Sequence, residues 1–167
     1  MRVAAIIVAA GRGLRAGGGT PKQYRRLGAA SALERTLAAF GASEGVGVVQ
    51  AVIHPSDTAL YADALSALPG ATRAKLLEPV PGGTTRQGSV LAGLEALAEL
   101  ANPPELVLVH DAARPYVSAS LISRAIAAGA ATGAAIPGVP VTDTIKRVDE
   151  AGRVLETPPR ERLRPRA

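Results

Sequence analysis

A glycine-rich segment with three basic side chains is the part of this sequence best suited to chemistry. It runs from Ala9 to Lys22, directly after an apolar run at residues 3–8, and it carries Arg12, Arg15 and Lys22. Glycines let backbone N–H groups approach an anion closely, and guanidinium and ammonium groups add charge-assisted hydrogen bonds. The segment therefore predicts a phosphate-rich ligand at the end of the first strand.

Two familiar glycine motifs and one simpler explanation compete with this prediction. The pattern Gly11-x-Gly13-x-x-Ala16 formally fits the dinucleotide fingerprint, but the glycines at 17–19 block the helix which that fingerprint needs. The phosphate-loop motif needs Gly-Lys-Ser/Thr, whereas Lys22 lies between a proline and a glutamine. A flexible, solvated basic loop is the remaining alternative, because such loops are common on protein surfaces.

A second polar cluster follows the fourth apolar run of the chain, and its sequence is His110-Asp111-Ala112-Ala113-Arg114-Pro115. A carboxylate that leaves a strand end beside a phosphate loop is suited to hold Mg²⁺, which takes one or two carboxylates and leaves positions for substrate. Asp111 is therefore a candidate magnesium ligand. The alternative is that Asp111 caps the following turn or pairs with Arg114.

A third cluster, residues 82–89, opens a helix. The free N–H groups and the dipole at a helix start favour an anion, and Arg86 and Ser89 offer polar contacts one turn inside. Simple capping by Thr84 or Thr85 would explain the same residues.

A fourth cluster, residues 141–147, leads into a predicted hairpin. Thr144 and Lys146 alternate on one face of a strand, since side chains repeat with a period of two. They could bind a second anionic substrate, or they could form the solvated side of an edge ribbon, where lysine opposes aggregation.

Composition excludes several classes of function. The 167 residues fit one domain, residues 1–167, with a sizeable core. Aromatic residues make up only 2%, so base stacking on single-stranded nucleic acid is poorly supported, and the lack of cysteine excludes disulfides and thiolate metal sites. No apolar run is long enough for a bilayer and the N-terminus does not resemble a signal peptide, so we expect no membrane partner and a soluble cytoplasmic protein.

The net charge of +5 does not indicate nucleic-acid binding. Residues 158–167 carry four arginines against one glutamate, so most of the excess lies in a short tail and not in a stripe across the fold. For the last residues of this tail we expect a solvated end.

Strand-like and helix-like segments alternate, which predicts an α/β fold with a parallel sheet covered by helices on both faces. The predicted strands are residues 3–8, 46–53, 75–78, 106–109 and 134–136. The predicted helices begin at the capping box Ser31-x-x-Glu34, at a Ser56 cap, at Thr85 and around Ala119. The apolar face predicted for the third helix consists of Val90, Leu91, Leu94, Leu97 and Ala98. Residues 144–148 and 153–157 are typical of a hairpin. Ligands of parallel sheets bind at the carboxyl ends of strands, where the polar clusters fall.

Together these segments resemble the 2-C-methyl-D-erythritol 4-phosphate cytidylyltransferase family of the non-mevalonate isoprenoid pathway. The resemblance runs from residue 3 to about residue 160, and its most specific parts are Pro21-Lys22-Gln23-Tyr24 and His110 to Pro115. It implies a Rossmann-like three-layer nucleotidyltransferase fold with a mostly parallel sheet and a protruding β-hairpin arm at about residues 139–160. The implied reaction transfers CMP from CTP to 2-C-methyl-D-erythritol 4-phosphate, gives 4-diphosphocytidyl-2-C-methyl-D-erythritol and pyrophosphate, and uses Mg²⁺.

The resemblance also implies roles for single residues. Arg15 and Lys22 would be catalytic, because they would stabilise charge on the α-phosphate and on the departing pyrophosphate. The residues implied to bind the nucleotide are Ala9, Ala10, Gly11, Gly13, Gly83, Ser89 and Asp111, of which Asp111 would hold Mg²⁺. The residues implied to bind methylerythritol phosphate are Arg114, Thr144, Lys146 and Arg160, where Arg160 and Arg162 are alternatives. The arm would exchange with a second copy in a homodimer.

The sequence departs from the family at its C-terminal end. The family continues with a Gln-Thr-Pro-Gln segment, further helices and a second metal-binding aspartate, none of which the 167 residues contain. We therefore expect a domain that is incomplete at its C-terminus, either truncated or the front part of a bifunctional cytidylyltransferase/cyclodiphosphate synthase, and weakly active or inactive in this form. A pentitol-phosphate cytidylyltransferase and a non-catalytic nucleotide-binding fragment are the alternatives.

Overall fold

The structure, a computed structural model, describes residues 1–12 and 19–165. Its centre is a parallel sheet of β1 (Val3–Ala9), β4 (Val48–Ile53), β5 (Val80–Pro81) and β6 (Leu106–Asp111), in the order β5-β4-β1-β6. Two short strands, β2 (Arg26–Leu27) and β3 (Ala30–Ser31), form a separate antiparallel pair. Since β1 is the middle of the sheet, its side chains are buried on both faces, as its continuous apolar sequence predicts.

The helices lie on both faces of this sheet. They are α1 (Ala32–Ala42), α2 (Thr58–Ser66), α3 (Gly70–Arg73), α4 (Arg86–Ala98) and α5 (Ala119–Thr132). One core contains Ile7, Leu37 and Phe40 and packs under α1, α2 and α5, while the second contains Ile6, Val52 and Leu97 and packs under α4. The predicted α/β class with a parallel sheet between two helical layers is confirmed. Among the described residues, no helix is both long and apolar enough to cross a membrane.

Helix caps explain where several helices begin. The Ser31 hydroxyl accepts a hydrogen bond from the Glu34 N–H at 3.2 Å, as predicted, and Thr85 accepts one from the Gly88 N–H at 3.0 Å. The predicted Ser56 cap is wrong. The Ser56 N–H instead donates to Nδ1 of His54 at 3.1 Å, so a short 3₁₀ turn, Pro55–Asp57, precedes α2.

Two predicted strands are not formed. Residues 75–78 make only a bridge with Val49, because the Gln50 side-chain amide donates to the Glu78 carbonyl at 2.7 Å in place of a ladder bond and Pro79 has no N–H to offer. The strand β5 therefore starts later, at Val80. Residues 134–136 pair with no strand of the described part of the chain and run past a cavity of about 270 Å³ between β6 and α5.

The predicted apolar face of α4 is only partly correct. Its buried stripe is Ser89, Gly93 and Leu97, spaced four residues apart, whereas Leu91 and Leu94 are exposed. The backbone at Gly93 lies so close to the sheet that a Cβ there would be 2.9 Å from Cγ2 of Ile6. Hence a small residue at the centre of the contact sets which face of α4 is buried.

This stripe gives a stability prediction with an internal control. Leu97 is 1% exposed, so Leu97→Ala removes a buried isobutyl group and should lower the free energy of unfolding by about 2–5 kcal/mol. Leu91 is 53% exposed on the same helix, and Leu91→Ala should change it by less than about 0.5 kcal/mol. Urea unfolding followed by circular dichroism measures both. Equal effects of the two substitutions would contradict the assigned face.

The hairpin lies inside the segment predicted as an arm. Its strands are β7 (Arg147–Val148) and β8 (Val154–Glu156), which pair antiparallel. The Asp149 carboxylate accepts hydrogen bonds from the backbone and side chain of Arg153, which lowers its pKa. The charged carboxylate therefore stabilises the turn at a pH above the usual pKa of aspartate. This contribution to the stability of the turn is lost as the pH falls through the lowered pKa.

Candidate functional site

A cavity of about 900 Å³ opens where the strands of the sheet end. The sheet register brings these ends together, because Ala9 pairs with Ile53, Val8 with Asp111 and Ile53 with Pro81. The loops that follow β1, β4, β5 and β6 therefore meet at one edge, as expected for ligand sites of parallel sheets.

A buried glutamine holds the loop after β1 in place. The Gln23 side-chain amide donates to the carbonyl of Ala9 at 2.6 Å and to that of Gly11 at 3.1 Å, and Gln23 is 2% exposed. Lys22, its neighbour in a 3₁₀ turn, is exposed at the cavity. The clamp thus fixes both the loop that could wrap a phosphate and the cation beside it.

Small residues bring the loop after β5 against the loop after β1. A Cβ on Gly82 would clash with the Ala10 Cβ and lie 2.9 Å from the Ser89 hydroxyl. The Ser89 hydroxyl is within hydrogen-bond distance of the carbonyls of Thr85, at 3.0 Å, and Gly83, at 3.4 Å. Ser89 therefore lines the cavity while it also holds the start of α4.

Asp111 is the centre of a charge cluster at the end of β6. Its Oδ1 accepts from Nε of Arg86 at 2.9 Å, and its Oδ2 lies 3.4 Å from Nε of Arg114. The same turn is fixed by a hydrogen bond from the Arg114 N–H to the Asp111 carbonyl at 3.0 Å. The pairing with Arg114 that the sequence offered as an alternative to metal binding is thus present, and Asp111 still faces the cavity.

The carboxylates near the cavity restrict how Mg²⁺ could be held there. No group of three or more histidine, cysteine, aspartate or glutamate side chains lies together in the part of the chain that the structure describes. A hard cation held against a polyphosphate needs only one or two protein carboxylates, and the remaining ligands are phosphate oxygens and water. Asp111, partly exposed at the cavity, fits such a single-carboxylate site.

The predicted site residues that line this one cavity are the nucleotide-binding Ala9, Ala10, Gly11, Gly83, Ser89 and Asp111, the catalytic Lys22 and the substrate-binding Arg114. Gly13 and Arg15 lie outside the described residues. Thr144, Lys146 and Arg160 are not among the cavity-lining residues of the described chain. They lie in or beside the arm, where Lys146 donates to the Thr157 hydroxyl at 2.7 Å and Arg160 to the Thr142 carbonyl at 2.7 Å.

The sequence analysis missed an ion pair behind the cavity wall. Nη1 of Arg12 lies 2.8 Å from Oδ1 of Asp57, whose side chain is only 3% exposed.

Two buried tyrosines have raised pKa values. Burial raises the pKa of Tyr61 to about 12, and burial together with the charge of Asp57 also raises the pKa of Tyr24. Because the pKa of each phenol is higher in the folded than in the unfolded chain, the free energy of unfolding decreases as the pH rises above about 10. For the Arg12–Asp57 ion pair, the signal available in the sequence was an aspartate, Asp57, shortly after the end of a strand.

Comparisons with known proteins identify the family to which this fold belongs. Residues 3–166 match the family model for IspD, 2-C-methyl-D-erythritol 4-phosphate cytidylyltransferase. The chain is 54% identical over 163 residues to a bifunctional enzyme IspD/IspF of Bradyrhizobium sp. strain BTAi1, and the match covers 98% of this chain and 39% of that protein. It therefore spans about two-fifths of the length of this curated relative.

Solved structures of the same kind superimpose on the fold. A 4-diphosphocytidyl-2C-methyl-D-erythritol synthase from Anaerococcus prevotii matches with a TM-score of 0.80 and 30% identity, covering 99% of this chain and 68% of that one. A 2-C-methyl-D-erythritol 4-phosphate cytidylyltransferase from Thermus thermophilus matches with a TM-score of 0.64 and 35% identity, covering 99% and 68%. With a family model that spans nearly all of its residues, the chain belongs to the 2-C-methyl-D-erythritol 4-phosphate cytidylyltransferase family.

Proposed function

We propose that this chain transfers CMP from CTP to 2-C-methyl-D-erythritol 4-phosphate. In this reaction a phosphate oxygen of the methylerythritol phosphate attacks the α-phosphorus of CTP. The bond from that phosphorus to the oxygen bridging the α- and β-phosphates breaks, and pyrophosphate leaves. The observation that carries the proposal is one cavity, in a member of this family, which joins the glycine loop, Lys22 and the Asp111 cluster.

The charges in the cavity suit two anionic reactants. Among the described residues, four arginine and lysine side chains line it, against the one carboxylate of Asp111: Arg12, Lys22, Arg86 and Arg114. The attack brings a phosphate monoester towards a triphosphate, so the main task of the protein is to position both and to offset their repulsion. We assign the leaving pyrophosphate to Lys22 and the incoming phosphate to Arg114. Arg15, implied by the family resemblance, would join Lys22.

The loop after β1 and the start of α4 would hold the nucleotide itself. Backbone N–H groups of Ala10 and Arg12 suit the phosphates, because Gln23 binds the carbonyls of Ala9 and Gly11 and so fixes the two peptide planes that carry these N–H groups. Gly83 and Ser89 would contact the base and ribose, since they line the same cavity beside the loop after β1. Asp111 would hold Mg²⁺, which would neutralise charge on the triphosphate oxygens.

We propose that the arm completes the substrate site of a second copy in a homodimer. Support comes from the position of Thr144, Lys146 and Arg160 away from the cavity of their own chain, and from exposed apolar side chains on the hairpin, Val148, Val154 and Leu155. Sedimentation velocity tests the dimer. Mixing Lys22→Ala with Arg160→Ala protein tests the sharing, because a mixed dimer would contain one intact site.

The experiment for the reaction is pyrophosphate release from CTP and a panel of polyol phosphates. Release that requires CTP and methylerythritol phosphate supports the proposal. Preference for a pentitol phosphate would replace it with the related cytidylyltransferase. If calorimetry shows CTP binding but no pyrophosphate is released, the chain is a non-catalytic nucleotide-binding fragment. Cell fractionation tests the accompanying proposal of a cytoplasmic location.

A further inference from the structure

An anion is buried directly behind the wall of the nucleotide cavity. Asp57 ends the turn that follows β4, and Arg12 lies three residues beyond the end of β1. Because Ala9 and Ile53 are register partners at the ends of these strands, the two following segments are forced side by side. The Arg12–Asp57 contact therefore links the nucleotide loop to the body of the fold.

The two members of this pair differ in their exposure. The Asp57 side chain is 3% exposed, whereas that of Arg12 is 46% exposed and lines the cavity. The second carboxylate oxygen of Asp57, Oδ2, is buried without a hydrogen-bond partner among the described residues, and so are the hydroxyls of Tyr24 and Tyr61. A half-satisfied buried carboxylate is poor support for stability. What the arrangement does provide is a fixed direction for the guanidinium.

We propose that Asp57 is a positioning residue that holds Arg12 in the cavity wall, where the outward part of the guanidinium binds the β- or γ-phosphate of the nucleotide. The counter-charge lies behind the wall and not inside the cavity, so it fixes Arg12 while the exposed N–H groups stay available to an anion. Arg86 and Arg114 differ in this respect, because their counter-charge, Asp111, itself faces the cavity. The phosphate role of Arg12 rests on the proposed function.

Calorimetry with Mg²⁺ and either CTP or CMP tests the proposal on four proteins: wild type, Arg12→Ala, Asp57→Asn and the double variant. Arg12→Ala should weaken CTP binding about tenfold, on the scale of one charge-assisted hydrogen bond, and CMP binding by less than about twofold. Asp57→Asn should weaken CTP binding several-fold. The double variant should match Arg12→Ala alone, because Asp57 acts through Arg12.

Several outcomes would overturn the proposal. Additive losses in the double variant would show that Asp57 does not act through Arg12. Equal losses of affinity for CTP and CMP would show a merely structural role. Arg73→Ala, which removes an exposed cation outside the cavity, is the control for the general effect of removing one positive charge. A wild-type protein that binds no CTP would reject the proposed function and the phosphate role with it. Hydrogen exchange of the ligand-free protein then still tests whether Asp57 holds Arg12 and its loop in place. The amides of residues 11 and 12 should exchange faster in Asp57→Asn, and equal rates would reject positioning.

Discussion

In a form of this protein that catalyses the proposed CMP transfer, replacing Lys22 with alanine will lower the rate constant kcat by about 10²–10³, the scale for removing one preorganised charge donor from a transition state. Lys22 is exposed at the cavity, and its backbone is held by the Gln23 clamp on the loop after β1. Negative charge grows on the leaving pyrophosphate as the bond breaks, so a fixed ammonium group stabilises the transition state more than the bound substrate. Steady-state pyrophosphate release measures kcat, and calorimetry measures CTP affinity.

The relative sizes of the changes in kcat and in CTP affinity decide whether Lys22 acts in the transition state or in substrate binding. A transition-state role predicts a large loss of kcat with only a small change in the Kd of CTP, and Lys22→Arg should restore part of the rate. An equal loss in affinity with unchanged kcat would assign Lys22 to ground-state binding instead. Arg73→Ala is the matched control, since it removes an exposed cation on α3 outside the cavity.

The sheet and its helices could be predicted wherever one strong local pattern decides the structure. The apolar run of β1 and the Ser31 cap of α1 are such patterns, and both are present in the structure. The strand expected at residues 75–78 failed because a side chain from a neighbouring strand, Gln50, occupies the Glu78 carbonyl. Such a long-range partner leaves no trace in the local sequence.

The cavity could be predicted in outline, because polar clusters after β1 and β6 must meet once the strands are parallel. The supports behind it could not. Gln23 stands in a motif that the sequence singled out, but its two carbonyl partners follow from how the loop folds back over the turn. Asp57 gave a weaker signal, since its partner Arg12 lies 45 residues away in the chain. The exposure of Leu91 could not be predicted either, because the close packing of a small residue, Gly93, against the sheet decides which face of α4 is buried.

If Asp111 holds Mg²⁺ as proposed, Asp111→Asn will remove the Mg²⁺-dependent part of CTP affinity and lower kcat/KM by roughly 10² or more, since a metal ion supplies several kcal/mol of charge stabilisation to phosphoryl-type transition states. The substitution keeps the shape of the side chain but removes the charge between Arg86 and Arg114. Calorimetry with CTP in the presence of Mg²⁺ or of a chelator measures the change.

Two roles of Asp111 predict opposite results without metal. If Asp111 holds Mg²⁺, the variant binds metal-free CTP as well as the wild type or better, because two guanidinium groups lose their counter-charge and the cavity becomes more positive. If Asp111 serves only to place Arg86 and Arg114, the variant loses affinity by the same factor with and without Mg²⁺. Asp63→Asn, an exposed carboxylate on α2, should alter neither value. The Asp111 carboxylate contacts both guanidinium groups, so placement of the arginines alone could account for the conformation seen here. A Mg²⁺ dependence that disappears in Asp111→Asn would therefore require the carboxylate to act on the metal as well.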